Sequence, residues 1–192
     1  MNKRQFLGTA AAGAALPRAA RTSPSGDAGP ALLTVTGAGI RSNRGPFDPV
    51  RDQMMHKQGL AFTRAHAFDY ASLLQLAPHT IRPTLEYDAR PHTLRGPLLL
   101  DVLARAGATV ADGTVLVLRA VDGYNVELSG AQARTRRVID ATHVDGAPMP
   151  LGGLGPLWAV IDADRLPDMA ALPLAQRFAA CPWALYHVEV KS

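Results

Sequence analysis

The sequence predicts an α+β fold in which short strands dominate, and three observations carry that expectation. Residues 114–121, TVLVLRAV, are almost continuously apolar and valine-rich, the signature of a buried strand, and LWAVI (157–161) and WALYHVEV (183–190) supply two more. Only two stretches repeat apolar residues at a helical period. Strands and helices do not alternate regularly, which argues against a doubly wound parallel sheet.

Taken in order, ALLTVTG (31–37) reads as the first strand, after a polar Pro/Gly/Ser linker over 21–30. From 38 to 67 the periodicity is poor, and Gly45-Pro46 and Asp48-Pro49 interrupt it further. Asp69 caps a short helix that gathers Tyr70, Leu73, Leu74 and Ala77 on one face. A second helix is opened by Gly96 and Pro97, repeats Leu99, Val102, Leu103 and Ala106, and ends at Gly107. After the strand at 114–121, Asp122-Gly123 turns the chain into YNVEL (124–128), with Tyr124, Val126 and Leu128 on one side. Ser129-Gly130 reads as the exit of that strand. RVIDATHV (137–144) is a further strand ending in Asp145-Gly146, a strong hairpin signal. Its partner is short, because Pro148 and Pro150 have no ladder donors. Pro167 and Pro173 prevent one long helix over 162–182.

The 192 residues suit one domain over 31–192, with an ordinary 47% of hydrophobic residues. The first twenty, MNKRQFLGTAAAGAALPRAA, place Lys3 and Arg4 ahead of Phe6 and Leu7, then a short small-residue run. A basic head, a weak apolar middle and a small-residue exit are the layout of an export signal. The run Gly8 to Leu16 is too short to span a bilayer, which takes ~20 helical residues. The order resembles a twin-arginine signal with Lys3 in place of the first arginine. Cleavage near residue 20 removes Lys3, Arg4 and Arg18 and no acid, leaving 17 basic residues against 16 acidic, or +1. The formal charge of +4 therefore belongs largely to the leader, and a nucleic-acid partner is not expected. Arg134, Arg136 and Arg137 form a local cluster that reads as a solvated edge. Cys181 is the sole cysteine, so no intrachain disulfide forms. The expectation is a protein of the periplasm that does not span the membrane once its leader is removed.

Several chemistries find no support. The histidines at 56, 66, 79, 92, 143 and 187 include no pair at helical metal-site spacing, and one cysteine makes no thiolate cluster. There is no G-x-S-x-G elbow. Gly152, Gly153 and Gly155 fail the dinucleotide fingerprint, because its third glycine falls on Trp158 and the run precedes a strand. Asp101, Asp122, Asp140 and Asp145 are not placed together by any local pattern, and no catalytic residue or metal ligand is assigned. What remains is a set of aromatic residues next to turns, Tyr87, Tyr124, Trp158 and Trp183. Each alone suits the core, whereas together they could stack a flat heterocycle.

The segments HTLRGPLLLDVLARAGA (92–108), VDGYNVELS (121–129), DGAPMPLGGLGPLWAVI (145–161) and PWALYHVEV (182–190), in that order, resemble the oxidoreductase molybdopterin-binding domain, the sulfite oxidase fold. The resemblance covers roughly 31–190 and is nearest to small exported members made of this domain alone. Catalytic members of that family hold molybdenum through a cysteine thiolate in the loop that corresponds to PTLEYDARPH (83–92), and this loop has none. Glu86 or Asp88 is a hard ligand and a poor substitute at such a centre. The resemblance therefore implies a pterin or molybdopterin-like ligand, with molybdenum not expected, and no catalysis. It further implies signalling through a partner such as a membrane-bound enzyme of cyclic di-GMP turnover. The alternative is a molybdopterin-dependent oxidoreductase with a non-cysteine metal ligand. By the same resemblance Trp158 contacts the pterin, Tyr87 and Tyr124 wall it, Gly155 and Pro156 shape the loop, and Trp183 backs it. Arg177 stands near the position of a family arginine and is the candidate phosphate anchor.

Overall fold

In a computed structural model that describes residues 29–191, the chain forms three sheets and a few short helices, the α+β arrangement expected. The central sheet joins the two ends of the described chain. Strand β1 (Leu33–Gly37) pairs in parallel with the last strand, β11 (Leu185–Lys191), and both are almost wholly buried. The sheet order is β2 (Ala65–Phe68), β1, β11, β5 (Val115–Ala120) and β6 (Asn125–Ser129), antiparallel apart from the β1–β11 pair. A four-stranded sheet runs β3 (Pro78–Ile81), β4 (Leu94–Pro97), β8 (His143–Val144) and β9 (Ala147–Pro148). The third sheet is the pair β7 (Ile139–Ala141) and β10 (Trp158–Val160).

A buried polar link holds the parallel pair. His187 Nε2 and Thr36 Oγ1 lie 2.9 Å apart, and Arg119 donates to His187 Nδ1 at 3.1 Å. Because a guanidinium only donates, Nδ1 accepts and Nε2–H is the donor to Thr36. Burial, with Arg119 beside it, pushes the His187 pKa down to about 3.

The short helices follow their caps. Asp69 accepts from Ser72 N at 2.8 Å and starts α2 (Tyr70–Leu74) as expected, but the helix ends before Ala77. Helix α1 (Gln53–Lys57) lies in the stretch of poor periodicity. Helix α3 (Leu99–Arg105) begins later than expected, because Gly96 and Pro97 belong to β4. A Cβ on Gly96 would lie 1.9 Å from the Asp140 carbonyl, so the glycine serves strand packing, not helix entry. Ser129 does not simply leave a strand. Its hydroxyl accepts from Gln132 N and its own N–H donates to Gln132 Oε1, a capping box that starts α4 (Gly130–Thr135). The predicted strand 137–144 divides between β7 and β8, which belong to different sheets. Asp145 (φ 48°) and Gly146 (φ 84°) turn the hairpin from β8 to β9. Helix α5 (Pro167–Ala170) and two 3-10 turns, Ala163–Arg165 and Leu174–Gln176, break up the long connection to β11. Among the described residues no helix is long and apolar enough to cross a membrane. The expected leader and most of the 21–30 linker lie outside the described residues.

One buried group opposes the fold. Both carboxylate oxygens of Asp140 on β7 are enclosed without a hydrogen-bond partner, and burial pushes its pKa from 3.8 up to about 7. Below about pH 4 the group is protonated whether the chain is folded or not, and its ionisation adds no cost. Between there and about 7 only the unfolded chain ionises, so stability falls as pH rises, by about 4 kcal/mol in all. Urea midpoints measured at pH 5 and pH 8 should therefore fall more steeply for wild type than for Asp140→Asn, and equal slopes would refute this account.

Candidate functional site

The turn after β5 and the approach to β11 present their aromatic residues to one hollow. Tyr124, 49% exposed, and Trp183, 47% exposed, line a cavity of about 260 Å³ together with Glu86, Phe178 and Cys181. Tyr124 is fixed at both ends. Its N–H donates to Asp122 Oδ1 at 2.9 Å and its hydroxyl to the Ala179 carbonyl. Glu86 arrives from the 83–92 loop and Cys181 from the far end of the chain, so the fold joins two segments that the sequence kept apart. Tyr87, 55% exposed, sits beside Glu86, and burial of its hydroxyl end with that carboxylate pushes its pKa up to about 12.

The 83–92 loop is pegged on both flanks. Thr84 N–H donates to Asp164 Oδ2 at 2.7 Å, and Arg82 N–H reaches Asp162 Oδ2 at 3.5 Å. At its other end His92 lies between two carboxylates, with Nδ1 2.7 Å from Asp145 Oδ2 and Nε2 3.0 Å from Asp88 Oδ2. Both contacts are hydrogen bonds only when both ring nitrogens carry protons. The hydrogen bonds to Asp145 and then Asp88 raise the His92 pKa, while the His92 contact holds both acids below their ordinary range. Arg90 and Arg82 also bear on Asp88 and Asp145 respectively. The clasp is whole below the ordinary histidine value of 6.5 and loosens as pH rises through the raised one. It also weakens in acid, as the two aspartates take up protons. A pH titration of the His92 ring by NMR should give a pKa above 6.5, returning toward it in Asp145→Asn.

Several expected site residues have other tasks. Trp158 is completely buried, so it presents no surface to a ligand. Its indole N–H donates to the Cys181 carbonyl at 2.8 Å, and its ring meets Phe178 with centroids 5.8 Å apart. It supports the cavity from behind. Gly155 does not clear a path for a ligand, because a Cβ there would lie 2.4 Å from the Met149 Cβ and carbonyl oxygen. Pro156 lines a different hollow, beside Leu151 and Tyr186. Arg177 spends its donors on the Asp164 carboxylate at 2.8 Å and on the Leu172 and Ala170 carbonyls at 3.0 and 2.9 Å. It closes the 162–182 connection, with three of its five N–H donors engaged within the chain. Tyr124 and Trp183 are therefore the expected residues that the fold brings together. Phe178, Glu86 and Cys181 join them, and no local pattern marked Phe178 or Cys181 as partners of the loop.

The residues fit a flat heterocycle better than a molybdenum centre. Stacking faces and the two carboxylates of the lining, Glu86 and Asp122, suit a ring bearing N–H donors. The single thiol of the cavity is pushed up to about 12, chiefly by burial and also by Glu86, so it stays protonated and unreactive. Among the described residues no cluster of three or more His, Cys, Asp or Glu is placed to hold a metal ion. Trp158→Ala should destabilise the protein by about 3–5 kcal/mol, the ordinary cost of emptying a core aromatic position. Trp183→Ala should cost less than about 1 kcal/mol. Thermal unfolding of the two variants checks the assignment, and equal losses would contradict it.

No family model matches the sequence, and no curated protein matches it. Twenty-four solved chains match the structure. Among them is the sulfane dehydrogenase SoxCD from Paracoccus pantotrophus, with a TM-score of 0.52 and 11% identity. The match covers 83% of this chain but only 37% of that one. At that identity the likeness shows the fold alone, and the fold of this chain is the α+β, sulfite-oxidase-type fold that its sequence predicts.

Proposed function

We propose that this chain is a pterin-binding protein whose ligand lies in the cavity between Tyr124 and Trp183. The supporting observation is that two half-exposed aromatic side chains, from a turn and a strand entry far apart in sequence, face one hollow with Glu86. Aromatic faces hold a flat heterocycle by stacking, and a carboxylate accepts from ring N–H groups. The fold adds support, since it is shared with a dehydrogenase of known structure. Membership of the molybdopterin-binding family rests on the four quoted segments. In this reading the protein acts without chemistry of its own, because the 83–92 loop that would carry the family's thiolate has no cysteine and presents Glu86 and Tyr87 instead.

The N-terminal layout supports export to the periplasm. There the protein reports its ligand to a partner, and a membrane-bound enzyme of cyclic di-GMP turnover is the partner the resemblance favours. Binding would order the 83–92 loop, and docking would follow the ordered state through differential affinity.

Titration of the purified protein with a pterin, read by pterin fluorescence, tests the site. Saturable binding is expected, weakened about 10-fold to 100-fold in Trp183→Ala and in Tyr124→Ala, as for loss of one stacking platform. Unchanged affinity in both variants would place the ligand elsewhere. Stoichiometric molybdenum in protein from a molybdenum-replete host would overturn the non-catalytic reading in favour of an oxidoreductase with an unusual ligand.

A further inference from the structure

A second cavity, of about 330 Å³, lies where the end of α4, strand β3 and the turn after β10 meet. Its polar rim is strongly basic. Arg136 and Arg137 come from the end of α4, Arg165 from the 3-10 turn, and His79 from β3. Basic residues at a helix end commonly answer the helix dipole. That accounts for Arg136 and Arg137 only, since Arg165 and His79 reach the same space from other elements.

The charges are not spent on one another. Arg136 has one exposed, long contact, 3.5 Å to Asp168. Arg165 makes no ion pair or hydrogen bond through its guanidinium among the described residues. Arg137 donates to His79 Nδ1 at 3.3 Å, so the ring proton of His79 sits on Nε2 and is a further donor. The carboxylate in the lining is Asp162, which keeps one buried oxygen without a partner. Three guanidiniums thus face one acid, and the remaining wall is formed by Ile81, Leu98, Ile139 and Leu166 with Thr80 and Thr135.

Arg137 is also held where an arginine is unfavourable. It follows the C-cap of α4 with φ 50°, in the left-handed region where glycine is the usual residue. The neighbouring Arg134 is different, for it pairs with Asp112 at the exposed edge. The basic cluster read from the sequence therefore divides, with one arginine on a solvated edge and two on the cavity.

We propose that this cavity binds the phosphoryl group of a small phosphate monoester. The guanidiniums of Arg136, Arg137 and Arg165 take the dianion, and the apolar body rests on Leu98, Ile139 and Leu166. Arginine suits this task because its planar fork donates two parallel hydrogen bonds to phosphate oxygens.

Calorimetry at low ionic strength with phenyl phosphate and with inorganic phosphate tests the site. Phenyl phosphate should bind saturably at one per chain, and about tenfold or more tighter than inorganic phosphate because of the apolar wall. Arg165→Gln and Arg137→Gly should each weaken it by about tenfold or more. Arg137→Gly also relieves the left-handed strain, so its melting temperature should equal or exceed that of wild type. Weaker binding in a variant at least as stable cannot come from misfolding. Absence of saturable binding, or wild-type affinity in both variants, overturns the site. Equal affinity for the two probes overturns the ester and leaves free phosphate as the ligand.

Discussion

Trp158 joins the central sheet to the β7–β10 pair. Its strand, β10, pairs with β7 on one side and meets the entry to β11 on the other. Ala159 N–H donates to the Pro182 carbonyl at 3.2 Å and Leu185 N–H to the Leu157 carbonyl at 2.9 Å. The indole N–H closes the junction onto the Cys181 carbonyl inside a fully buried setting. A polar group enclosed there without its partner costs about 1–3 kcal/mol, so the tryptophan position and the 181–183 path fix each other. Trp183 can then stand half-exposed at the cavity mouth because Trp158 holds the backbone beneath it.

Around that junction the two cavities have opposite character. The one at Tyr124 and Trp183 offers stacking faces with two carboxylates and a protonated thiol, and it suits a donor-rich ring. The one at Arg136, Arg137 and Arg165 offers guanidiniums over an apolar wall, and it suits an amphipathic anion. Charge alone would sort ligands between them. The strand entering the 83–92 loop touches the environments of both. Arg82 is hydrogen-bonded to Asp162, which lines the basic cavity, while Glu86 four residues on lines the aromatic one.

What the sequence made legible was whatever a local pattern determines. The valine-rich run at 114–121 became β5 nearly to the residue, Asp69 capped its helix, and Asp145-Gly146 turned its hairpin. Failures came where distant packing decides. Gly96-Pro97 looks like a helix entry until the Asp140 carbonyl is placed against it. The run 137–144 looks like one strand, yet its halves answer to different sheets. Helix α4 was the exception, since Ser129 and Gln132 already spelled its capping box. The site was half legible. Aromatic residues at turns identified Tyr124 and Trp183, but exposure is not written in residue type, so Trp158 could not be told from its neighbours.

The glycine run before Trp158 shows why that ambiguity arises. GGLGPLW could equally make room for a ligand or for the chain itself. Gly155 decides it, because the space a side chain would need is already occupied by Met149. Gly152, at φ 96°, supplies the turn that brings the backbone there. The freedom of the run is therefore spent on a close chain-to-chain approach that drives Trp158 inward. Once Trp158 is inside, the tryptophan paired across from it, Trp183, is the one left half-exposed at the cavity. The glycines still bear on the proposed site, but one strand removed, by setting the floor on which its aromatic wall stands.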